Sequence, residues 1–351
     1  MERQKKTIYL GIQLIRIIFS FNIVIFHCIG DKYQNKFIYF ICIIAVPYYV
    51  PTFFVISFYF SYKSLVSKNI IKLKERLIRI IIPFIIWPFI FWMKNNFINI
   101  INGIKDGNKY RDLIYQLIIG KPFLPVFWFQ FCLIFYSLLY IIIILLFKYI
   151  YKTIFTFLFI IILFLNYFGY TNYITNNNHF SYASLSLKDL FYRHIHVFHG
   201  FMFASINIIN HKFSIKFKII IFSFLCIFLT SNFNNKGYIK FIRVQFIVNI
   251  IFIVSVLFQN DLIITLKINN LIIIFYKVNN KIIFYIINQI TSYTGGIYYL
   301  HYEIKYRTLS HVNLIKKADF FSCIIIYLIS YIFCFLSFKI FKNTKLKYLF
   351  I

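Results

Sequence analysis

Arg16 and His27 bracket the run RIIFSFNIVIFH, which is otherwise almost wholly apolar. Imidazole exchanges protons near neutral pH, while a guanidinium stays cationic throughout the physiological range, so the two offer a proton acceptor and a fixed positive charge. They stand eleven positions apart. Eleven steps of helix make three turns plus about 20°, so both side chains leave one face, about 16 Å apart along the axis. If the run crosses a bilayer, a lone arginine inside it costs about 2.5–3.5 kcal/mol. That cost predicts a polar cavity or a partner behind the stripe. The competing structural readings are an interfacial histidine closing a helix and an arginine snorkelling to the surface, but about eight helical residues precede Arg16, more than its side chain easily reaches.

The elements that must carry such a stripe are foreshadowed by composition. The chain has 351 residues, of which 61% are hydrophobic, more apolar side chain than a soluble core of that length hides. The expectation is an all-α, polytopic transmembrane helix bundle forming a single domain, 1–351. Apolar runs recur to the end, so the first is read as a retained helix and not a cleaved signal. At about 20 residues per span, candidates fall near residues 8–29, 38–62, 79–97, 125–147, 153–171, 190–209, 217–231, 239–258, 286–304 and 319–338. That is about ten spans, with both termini cytoplasmic. Residues 259–285 mix polar and apolar clusters too finely for a span and are read as interfacial or re-entrant. Pro47, Pro51, Pro83 and Pro88 are expected to kink or end helices.

Lys and Arg number 38 against 9 Asp and Glu, a net charge of +29. In a soluble protein this would suggest nucleic acid, but no recognised fold or basic-aromatic module accompanies it, so nucleic acid is excluded as a partner. In a membrane protein, cations fix topology and face anionic headgroups. Their densest cluster is residues 63–79, KSLVSKNIIKLKERLIR, read as a cytoplasmic loop. The 48 Phe and 29 Tyr, beside many Ile, Asn and Lys, look like the bias of an AT-rich genome and say little about binding. The six Cys are scattered without a CxxC pair and are read as small buried hydrophobes. HIHVFH invites a metal reading, but on a helix His194 and His196 point about 160° apart. No metal site is expected there.

LIRIIFSFNIVIFH resembles the first span of the acyltransferase 3 family, whose signature is Arg, ten residues, then His. VPTFFVISFYF resembles the family's second span. RLIRIIIPFIIW follows, with Arg76 and Arg79 in the place of its R-x-x-R. FLPVFWFQFCLIFYSLL, with Trp128, resembles its WFL span, HVFHGFMFAS its later F-x-x-G span, and TSYTGGIYYLHYEI its near-terminal S-Y-x-x-YLxH segment, with Tyr298 and His301. The first span and the five segments after it keep the family's order across most of the chain. Two departures stand out. The glycine usual after Ser57 is Phe58, and the preceding Gly-Val is Val50-Pro51; nor does the first span hold a carboxylate to orient His27.

The resemblance implies a multi-pass protein of the cell membrane, of the bacterial inner or plasma membrane type. Its activity would be moving an acyl group, commonly acetyl, from cytoplasmic acetyl-CoA or another acyl-CoA to a hydroxyl of a surface or secreted glycan or lipid-linked saccharide. No permanently bound cofactor is implied; the acyl-CoA is a co-substrate. Arg76 and Arg79, three apart, would share a helix face and grip the CoA diphosphate. His27 would take the hydroxyl proton, or alternatively form an acyl-imidazole. Arg16 would stabilise the thioester oxygen or guide the pantetheine arm. Tyr298, His301 and Trp128 would face substrate. A helix-helix hydrogen bond for His301 and simple packing for Trp128 are the competing readings. A polysaccharide exporter, flippase or polymerase is the alternative for the whole chain.

Overall fold

The computed structural model describes residues 10–29, 36–66, 70–101, 128–167, 280–311 and 320–351, with the isolated positions 190, 197, 198, 200, 201, 247, 248 and 251. His194, His196 and His199, and most of 259–285, lie outside the described residues.

The described residues form helices and no strand: α1 (Leu10–Ile29), α2 (Lys36–Val66), α3 (Ile70–Ile101), α4 (Trp128–Leu146), α5 (Tyr151–Tyr167), α6 (Asn280–Ser292), α7 (Thr294–His311) and α8 (Phe320–Phe341), followed by a 3-10 turn, Lys345–Leu349. Stretches within four of them, Gly11–Cys28, Ile71–Lys94, Trp128–Leu146 and Phe320–Phe341, are long and apolar enough to cross a membrane.

The distribution of side chains around these helices is what lipid demands. In α8 the buried stripe is Ser322, Cys323, Ile326, Tyr327, Ser330, Cys334 and Ser337. Its exposed face is Phe321, Leu328, Ile329, Ile332, Phe333, Leu336 and Ile340. Small and polar residues turned inward with bulky apolar ones outward reverse the soluble pattern. They suit a solvent as greasy as leucine, where small residues let backbones approach. α4 repeats the theme, burying Gln130, Cys132 and Ser137 and exposing Phe135, Leu138, Ile142 and Leu145.

One expectation about a helix end gives way to a longer helix, and of the two outcomes expected at the prolines the helices do not take the ending. The segment 63–79 was expected to be a loop; from Ile70 onward it is the first turns of α3. The reason lies in its residues: Leu, Ile, Lys, Arg and Glu favour helix, and Glu75 stands four before Arg79, the favourable order for an i,i+4 pair. α3 also continues through Pro83 and Pro88, and α2 through Pro47 and Pro51. Neighbouring groups and side chains can serve the carbonyls that proline strands.

The chain divides into two compact units, Met1–Thr52 with Phe246–Ile351, and Phe53–Gln245. In the first unit α1 packs against α6, α7 and α8. α1 and α7 run side by side in the same direction, since Arg16 meets Thr294 and His27 meets Lys305. α8 runs against them: Cys28 adjoins Cys323, while Ser20, two turns earlier, bonds Tyr327 at 3.1 Å. In the second unit α3 packs on α4. An aromatic cluster there joins Tyr140 to Phe155, stacked at 4.1 Å, and both to Phe201. Gly200 lies against α2, where a Cβ would meet the Val55 carbonyl, the Phe58 Cβ at 3.0 Å and the Tyr59 amide at 3.1 Å. Gly200 thus lets two backbones approach closely beside Phe58.

Candidate active site

The span expected over 286–304 is two helices, not one. α6 ends at Ser292, Tyr293 forms a turn, and α7 begins at Thr294. Tyr293 keeps one bond to each side, its amide donating to Ile290 at 3.1 Å and its carbonyl accepting from Ile297 at 2.9 Å. Gly295 and Gly296 follow, and the backbone of Phe350 and Ile351 lies against them; a Cβ on Gly296 would stand 2.7 Å from the Phe350 oxygen. A broken helix leaves carbonyls at the end of α6 that only polar groups can serve.

Arg16 meets that break. Its Nη2 donates to Thr294 Oγ1 at 3.1 Å, and the same hydroxyl donates to the Thr291 carbonyl at 2.9 Å. The cation therefore stands at the junction of the two helices, joined through the Thr294 hydroxyl to a carbonyl in the last turn of α6. Thr294 is buried and Arg16 half-buried. The partner that an arginine inside a span requires is a helix break.

Eleven positions further along both helices, the register is the same. Lys305 Nζ donates to the His27 carbonyl oxygen, at the same sequence offset as Arg16 to Thr294. Between these ties the two imidazoles come together, with ring centroids of His27 and His301 5.3 Å apart and tilted by 34°. Tyr302 faces His27 edge-on at 6.1 Å, and Tyr298 lies 6.1 Å from His301. His301 is fully buried. Its Nδ1 lies 3.0 Å from the Ile297 carbonyl oxygen, while its Nε2 is buried without a hydrogen bond.

Arg16, His27, Tyr298 and His301, singled out from segments at opposite ends of the sequence, thus line one α1–α7 seam. The seam is not polar throughout. Ile23, one turn before His27 and on the same stripe, is buried, so the charge and the imidazoles occupy separate ends.

Arg76, Arg79 and Trp128 belong to the second unit. The Arg76 guanidinium lies over the Phe60 ring at 5.1 Å and lines a crevice with Phe58, Ser61, Tyr62, Tyr140 and Phe201. Arg79 is exposed. Arg76 is half-buried and lines the crevice, and Arg79 is not among its lining residues. Trp128 opens α4 with its ring 6.4 Å from Phe54 and 6.2 Å from Phe129, an aromatic packing position. Among the described residues no three His, Cys, Asp or Glu side chains gather closely enough to hold a metal ion.

Sequence reasoning missed Thr294 and Lys305. Thr294 carried a readable signal, since TSYTGG concentrates turn-forming residues inside an apolar run. Lys305 is four positions after His301, hence on the same helix face. Compared with family models, curated proteins and solved structures, the chain matches none.

Proposed function

We propose that the chain is a membrane O-acyltransferase of the acyltransferase 3 type, with about ten spans and both termini cytoplasmic. It moves an acyl group, acetyl in the first instance, from acyl-CoA to a glycan hydroxyl. In this reading His27 takes the proton as the acceptor O–H bond breaks. The oxygen attacks the thioester carbonyl, a C–O bond forms, and collapse of the tetrahedral intermediate breaks the C–S bond. The proton on His27 returns to the departing CoA thiolate, leaving an O-acyl ester and free CoA. Arg76, with Arg79 beside it, holds the donor's phosphates through charge-assisted bonds. Arg16 acts at a distance from the reacting atoms: by tying α1 to the start of α7, it keeps Tyr298 and His301 beside His27.

The observation that supports this most is the meeting of His27 with His301. A candidate span at one end of the sequence and a broken helix at the other supply an imidazole pair. Membranes containing the protein, given radiolabelled acetyl-CoA, should transfer label to their glycan, and His27→Ala should reduce transfer to background. Export of glycan with no label transferred would favour the exporter instead.

A further inference from the structure

We infer that His301 is the positioning residue for His27: its buried Nε2 lone pair accepts a hydrogen bond from the His27 ring, fixing the tautomer in which His27 offers its other nitrogen to the acceptor hydroxyl. This rests on the base role proposed for His27.

Three observations lead there. A carbonyl oxygen only accepts, so the 3.0 Å contact from His301 Nδ1 to Ile297 makes Nδ1 the protonated nitrogen of a neutral ring. Nε2 then carries a lone pair, and it is buried with no partner, a state that costs free energy unless function uses it. The His27 ring is 5.3 Å away, centroid to centroid, and tilted by only 34°. Ring nitrogens lie outside the centroid, so two such rings meeting edge to edge at this separation hold nitrogens about 3 Å apart, the span of a hydrogen bond. Catalytic hydrogen bonds are often long before substrate binds.

The arrangement answers the missing carboxylate. In catalytic triads an acid orients the histidine and steadies the imidazolium. α1 supplies none, and the Lys305 ammonium beside the pair, bonded to the His27 carbonyl oxygen, would hold an acid's charge but not replace its lone pair. A neutral imidazole does the orienting without adding a further charge to the seam. When His27 gains the acceptor's proton, its remaining N–H faces the His301 lone pair, and on return of the proton to the thiolate both rings are neutral again.

The test uses the full-length protein in nanodiscs, labelled with 15N-histidine. His301 should show the Nδ1–H tautomer, and His27→Ala should shift its Nε2 resonance. An Nε2–H tautomer, or a resonance indifferent to His27→Ala, overturns the proposal whatever the enzyme does. In membranes given radiolabelled acetyl-CoA, His301→Leu should lower the maximal transfer rate about 100-fold with the donor KM unchanged. His301→Gln, whose amide oxygen can stand in for Nε2, should recover most of it. Equal losses in Leu and Gln variants would overturn the positioning role. Full transfer by His27→Ala would instead remove the base reading on which it depends.

Discussion

At the scale of single residues, Arg16 shows how a costly side chain is retained in an apolar helix. Its guanidinium donates to Thr294, whose hydroxyl passes a bond on to Thr291. A bond to a charged donor contributes about 1.5–3 kcal/mol. Thr294→Val, near-isosteric but without the hydroxyl, should therefore lower unfolding free energy by about that amount, and Thr294→Ser should restore most of it. Denaturant titration in detergent measures both; a valine variant as stable as the parent would show that the bond contributes nothing. Arg16 and His27 were legible in the sequence because charge in an apolar run is rare, and Tyr298 and His301 because of the family resemblance. Which group answers each of them was not. Arg16 to Thr294 and His27 to His301 link positions more than 270 apart, and no local pattern states such a pairing.

At the scale of elements, the sequence locates apolar runs well and their ends poorly. α1 and α8 lie close to the spans expected from hydropathy. α2 and α3 run 31 and 32 residues, because the charged and proline-bearing flanks keep helical geometry beyond the hydrocarbon thickness. The break at Tyr293 goes the other way: its flanks stay apolar, so hydropathy reads one span where two helices meet. Glycine positions decide where these elements touch. Gly200 faces the backbone of α2 with no room for a methyl group, and backbone cannot step aside as a flexible side chain can. Gly200→Ala should then cost about 1–3 kcal/mol of stability through overpacking. The fall is read as a lower midpoint of thermal unfolding in detergent, and an unchanged midpoint would mean that α2 does not hold Gly200 this closely.

At the scale of the whole molecule, the residues assigned to chemistry and those assigned to donor binding fall in different compact units, His27 and His301 in one, Arg76 and Arg79 in the other. The two roles leave different marks on the kinetics, which can separate them. Losing a proton acceptor lowers the maximal rate, whereas losing a phosphate contact made equally in ground and transition states raises KM alone. A single charge-assisted bond contributes about 1.5–3 kcal/mol, so Arg76→Ala with Arg79→Ala should raise the acetyl-CoA KM at least tenfold and leave the rate at saturating donor within about twofold. Arg76→Ala alone should account for most of the change, since Arg76 lines the crevice and Arg79 is exposed. Initial rates of label transfer across a range of acetyl-CoA concentrations give both quantities. A donor KM unmoved in the double variant would mean that these arginines serve topology and lipid headgroups, and the diphosphate would have to be held elsewhere.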